Sequence, residues 1–103
     1  MLRGADGAMT GFAYPEMMAQ VIAAYTAGNT EHARDIFDAY MPMVRYEAQP
    51  GLGLAIRKYT LAQRGVIAHD TLRKPGGSLS LATKAEVDAL AARQAGKLRA
   101  LGL

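Results

Sequence analysis

The side chains with most capacity for covalent chemistry in this chain are four lysines, Lys58, Lys74, Lys84 and Lys97. A lysine amine attacks carbonyl carbon readily when a desolvated pocket lowers its pKa. None of the four sits in an apolar stretch: each falls on a charged helix face, in a loop or beside a helix cap. No catalytic residue is therefore assigned within the chain. Cysteine is absent, which excludes thiolate nucleophiles, disulfides and thiolate zinc sites from these 103 residues. His32 and His69 have no neighbour at metal-ligand spacing, so surface or capping roles are expected and no metal is assigned. Gly51-Leu-Gly53 carries two glycines of a dinucleotide loop. No strand precedes it to aim a phosphate at a helix, and that reading is discarded.

Charge and hydropathy narrow the partners. Twelve basic and nine acidic residues leave a net charge of +3, too small and too scattered for a nucleic-acid surface. No apolar run reaches the ~20 residues of a spanning helix, so no membrane partner is expected. The first residues, interrupted by Asp6, lack the apolar stretch of a signal peptide. A soluble cytoplasmic protein is the expectation. At this length the chain is at most one domain with a modest core.

The elements that would position any site read as one strand followed by helices. Residues 4–12 read as a short extended segment rich in glycine, leading to Pro15 at the start of a helix. Over 15–27, Met17, Met18, Val21, Ile22 and Tyr25 recur on one helical face, and Gly28-Asn29 ends it. A second helix is predicted over 30–48, with Ala33, Ile36, Phe37, Tyr40, Met41 and Val44 as its buried stripe. Pro42 falls inside it and predicts a kink or break near residues 38–41. Gln49-Pro50-Gly51 is a turn, residues 54–64 a shorter helix closed by Gly65, and 66–82 mostly loop. Thr83-Lys-Ala-Glu86 reads as a capping box for a last helix whose apolar side is Val87, Leu90, Ala91, Leu98 and Leu101. The methionines and tyrosines read mainly as stripe residues. A lone strand is a problem in itself, because its backbone donors and acceptors need partners.

Gly4-Ala-Asp-Gly-Ala-Met-Thr-Gly-Phe-Ala-Tyr-Pro-Glu-Met17 and Gly65-Val-Ile-Ala-His-Asp-Thr-Leu-Arg-Lys-Pro75 resemble the C-terminal part of the dihydrodipicolinate synthase and N-acetylneuraminate lyase family. Tyr40-Met-Pro-Met-Val-Arg45 and Gln49-Pro-Gly51 fall between them in the family's order. The resemblance implies a mainly α chain: the last β/α unit of a (β/α)8 barrel (residues 1–28) and a C-terminal helical extension (29–103). It implies that residues 7–12 are the eighth strand and 15–27 the eighth helix. Family members are class I aldolases or dehydratases that form a Schiff base between a lysine and a 2-keto acid, often pyruvate.

Barrel active sites lie at the C-terminal ends of the strands. The resemblance therefore implies that Met9, Thr10 and Gly11 line a substrate pocket, with barrel packing and turn geometry as the competing roles for Met9 and Gly11. The family's Schiff-base lysine, proton-relay tyrosine and carboxylate-binding loop belong to earlier strands, which have no counterpart in this sequence. The expectation is a segment of a 2-keto-acid lyase, from a gene fragment or a start placed at an internal methionine, and inactive alone. Its keto-acid substrate would bind only in a full-length context, and no cofactor is expected. Uncovered apolar stripes and strand edges predict marginal stability or homo-oligomerisation. A free-standing helical module for protein interaction or self-association stays open as the second reading.

Overall fold

The computed structural model describes all residues, Met1–Leu103. It contains four helices: α1 (Glu16–Thr26), α2 (Thr30–Glu47), α3 (Gly53–Gln63) and α4 (Leu81–Ala100). Helix α2 is central and packs against the other three, while α3 also touches α4. The core lies along its inner face, where Met17 of α1, Ile36, Tyr40 and Met43 of α2, Ile56 of α3 and Val87 of α4 are nearly or fully buried. No helix is long and apolar enough to cross a membrane.

The predicted N-terminal strand is not formed. Residues 7–12 are extended, yet no second strand lies beside them and no sheet exists in the chain. A strand is defined by its ladder, and this one has no partner to hydrogen-bond with. From Ala5 to Gly11 no backbone N–H donates to any group of the protein. The segment is an exposed arm up to Phe12, which turns into the core.

Three further expectations are corrected. Of the kink or break expected at Pro42, the break does not occur, and helix α2 runs on through the proline. The proline removes the N–H that Asp38 would accept, but both residues are exposed and water can serve that carbonyl. The buried stripe of α2 is also rotated from the predicted one: Ala39 and Met43 are inside, whereas Phe37 is 38% exposed. Finally, α4 begins earlier than Thr83. Ser80 is the cap, accepting the Thr83 N–H at 3.1 Å, and Glu86 accepts instead from the Tyr46 hydroxyl of α2.

Local signals account for the other boundaries. Asn29 caps α2 by accepting from the His32 N–H at 3.2 Å. Gly28 has φ +83°, the left-handed conformation with which helices commonly end. Gly53, which opens α3, lies so close to the end of α2 that a Cβ there would come within 2.5 Å of the Glu47 carbonyl oxygen. That glycine of the discarded dinucleotide motif serves helix packing.

Candidate functional site

The arm meets the helices at Ala13. Its N–H donates to Glu47 Oε2 at 3.1 Å, and its C=O accepts from Arg64 Nη1. Glu47 stands on the last turn of α2 and is only 4% exposed. A buried carboxylate is costly unless it is paired and hydrogen-bonded. Here Oε1 accepts from Arg57 Nε at 2.8 Å, so both oxygens are used. Arg57 of α3 and Arg64, the residue that caps its C-terminus, are seven residues apart, about two turns, which brings both to the arm.

Arg64 does more than hold one carbonyl. It pairs with Glu16 at the start of α1, and its guanidinium lies over the Tyr14 ring at 4.3 Å. Tyr14 packs in turn with Phe12 and Tyr40, the three ring centroids being 5.4–6.1 Å apart. Burial pushes the Tyr14 hydroxyl above its ordinary pKa of 10.0, with Arg64 opposing; burial likewise raises Tyr40. Both hydroxyls therefore stay protonated at neutral pH, and that of Tyr40 donates to Gln20 Oε1 at 3.5 Å.

The three residues predicted to line a pocket follow one another on the arm. Met9 is 96% exposed and touches no core. Thr10 Oγ1 accepts the Phe12 N–H at 3.1 Å, which leaves its own O–H free to donate. Gly11 lies beneath Arg57: a Cβ there would fall 2.8 Å from Nη1. Only a glycine fits without moving the arginine. The arm forms one open wall and encloses no cavity by itself.

The largest cavity, about 440 Å³, lies elsewhere, between α3, the loop 70–79 and the first turn of α4. Lys74 and Lys84 line it, and Lys58 donates nearby to the Thr71 carbonyl at 2.8 Å. None of the four lysines is buried. No three His, Asp or Glu side chains gather in one place.

Glu47, Arg57 and Arg64 are the polar residues that sequence reasoning missed. One signal was present: Glu47 continues the spacing Ala33, Ile36, Tyr40, Met43, and an acidic residue in phase with an apolar stripe must have a partner.

With this geometry in hand, three comparisons bear on the chain. The model of the dihydrodipicolinate synthetase family matches residues 1–94. The L-2-keto-3-deoxyarabonate dehydratase of Azospirillum brasilense is 32% identical over 90 residues, which cover 87% of this chain and 29% of that protein. The crystal structure of dihydrodipicolinate synthase from Rhodopseudomonas palustris superposes with a TM-score of 0.87 at 47% identity, covering 90% of this chain and 31% of that one. The chain thus spans less than a third of the length of these relatives. Sequence and helical architecture agree along nearly the whole chain, which belongs to the dihydrodipicolinate synthetase family.

Proposed function

We propose that this chain is the C-terminal segment of a Schiff-base lyase or dehydratase acting on 2-keto acids such as pyruvate, and that it is inactive alone. The observation that carries the reading is the arm: an extended, exposed segment with free backbone donors from Ala5 to Gly11, anchored at Ala13 to a packed helical body. Such a segment suits the last strand of a barrel, with Met9, Thr10 and Gly11 at its C-terminal, substrate-facing end. Residues 1–28 then belong to the barrel and 29–103 to the extension beside it. The keto-deoxy sugar acid named for the Azospirillum relative fits the same substrate class.

Imine formation requires a lysine whose pKa is lowered by desolvation. Lys58, Lys74, Lys84 and Lys97 are all at least partly exposed, which supports inactivity of the segment. Borohydride reduction in the presence of pyruvate, followed by intact-mass analysis, tests this. The expected spectrum holds only unmodified protein, and a pyruvate adduct on any of the four lysines overturns the reading.

A second reading, a cytoplasmic helical module that associates with itself, is favoured by one specific feature. Met1, Leu2, Val21, Tyr25 and Phe37 line an open, mostly apolar groove of about 370 Å³ along α1 and α2.

A further inference from the structure

We propose that Asp6–Gly7 is a modification site, where the chain isomerises spontaneously to isoaspartate for as long as the arm is unpaired. The reaction is intramolecular. The backbone nitrogen of Gly7 attacks Cγ of the Asp6 carboxyl group and closes a five-membered succinimide ring. One carboxyl oxygen leaves as water, carrying the amide hydrogen and the carboxyl proton. Water then adds back to either ring carbonyl. Opening at the new Cγ–N bond restores aspartate, whereas opening at the original peptide bond leaves the main chain running through Cγ, as isoaspartate. No oxidant, cofactor or second protein enters, and the product has the mass of the starting chain.

The arm supplies what ring closure needs. The attacking nitrogen is free, because the Gly7 N–H donates to no group of the protein. An amide committed to a helix or ladder is aimed at its acceptor and cannot also turn toward a neighbouring side chain. The carboxylate is free as well: Asp6 is exposed and takes part in no ion pair. There is also room. Residue 7 has no side chain, and even a Cβ built there would meet nothing within 4 Å. The chain bends at Asp6, and the contacts that restrain the arm, at Thr10 and Gly11, lie further along. Cγ and the Gly7 nitrogen can therefore close to the ~3–3.5 Å from which attack proceeds.

The other candidates are held back. Asp35 and Asp38 lie inside α2 and Asp88 inside α4, where the following amide belongs to the helix. Asp70 precedes Thr71, whose branched Cβ crowds the nitrogen. The sole asparagine, Asn29, is occupied as the cap of α2. Asp6 stands alone.

Isoaspartate puts an extra carbon in the main chain and displaces the carboxylate. Strand pairing depends on a fixed repeat per residue, so a ladder crossing the Asp6–Gly7 link is interrupted. The link thus keeps time on the arm: pairing that holds the Gly7 amide stops the reaction, and delay lets it run. That consequence rests on the reading of the arm as a barrel strand, whereas the modification itself does not.

The test is incubation of the 103-residue chain at neutral pH in warm buffer, with the urea-unfolded chain as reference. Isoaspartate is located by electron-transfer fragmentation and counted by methyl transfer from S-adenosylmethionine through an isoaspartyl methyltransferase. At Asp6 the native rate is expected within about twofold of the unfolded one, because the arm is already open. At Asp35, Asp38 and Asp88 it should be roughly tenfold or more below the unfolded rate, since those amides open only with local unfolding. Gly7→Val, on an exposed arm away from the helices, should slow Asp6 several-fold with circular dichroism unchanged. The proposal is overturned if Asp6 stays intact in the native chain while the unfolded chain converts. It is equally overturned if the helical aspartates keep pace with Asp6, or if Gly7→Val leaves the rate unaltered. Borohydride trapping reads the lysines and this assay reads Asp6, so each fails without the other.

Discussion

Glu47 is the residue on which the site's geometry turns. One side chain satisfies the Ala13 N–H, orders the Arg57 guanidinium and does so from a position closed to water. Removing it leaves a buried donor and a partly buried cation without partners. Such unsatisfied groups cost about 1–3 kcal/mol each. Glu47→Ala is therefore expected to lower stability by about 2–4 kcal/mol in urea unfolding, overlapping the lower part of the range for breaking a buried pair because Arg57 is only partly buried. Exposed Arg34–Glu31, an i,i+3 pair on the surface of α2, provides the contrast. Its disruption by Glu31→Ala should fall below about 1 kcal/mol. Equal effects of the two substitutions would remove Glu47 from its central place.

At the scale of elements, α2 carries the fold and Pro42 is its weak point. The helix continues through the proline although one backbone hydrogen bond is lost. Pro42→Ala restores that donor and a better helix former at an exposed position. It is expected to raise stability by about 1–3 kcal/mol, seen as a higher urea midpoint; a fall would show that the pyrrolidine ring packs usefully. Most of this helical order could be read from spacing. Met17, Ile36, Tyr40 and Val87 were all placed on apolar faces by periodicity, and each is buried. What escaped was tertiary choice between neighbouring phases. Phe37 and Met43 are both apolar and both fit a stripe, and only packing against α1, α3 and α4 decides that Met43 turns inward. The α4 start escaped for a related reason. Ser80 and Thr83 are both competent caps, and Glu86 is drawn to Tyr46, forty residues away. The arm's extended form was legible from its glycines, whereas its lack of a ladder depends on partners that no local pattern contains.

The whole molecule is loosely filled for its length. Sixteen of its 103 residues are buried, and its radius of gyration is 14.8 Å against about 13 Å expected for a compact domain of 100 residues. Apolar surface that would ordinarily be inside is therefore on the outside. The groove of Val21, Tyr25 and Phe37 is its clearest stretch, and exposed patches of this kind promote association. Sedimentation equilibrium should show an average mass that climbs with protein concentration, and Phe37→Lys should reduce the climb. A monomer at every concentration, melting in one sharp transition, would oppose this expectation.

The grip on Ala13 has a consequence for how the arm acquires order. A single residue, held at both its N–H and its carbonyl, fixes where the arm leaves the body and in which direction. Beyond that point no amide of the seven residues 5–11 is engaged, and only the Thr10 hydroxyl and the contact of Gly11 with Arg57 restrain them. Immobilising each costs about 1–2 kcal/mol, or about 7–14 kcal/mol for the stretch. Any sheet that takes this segment as a strand must return that much through two flanking ladders and the burial of Met9. The anchor has already removed the search over orientations, so what remains is a zipper that starts from one tethered end.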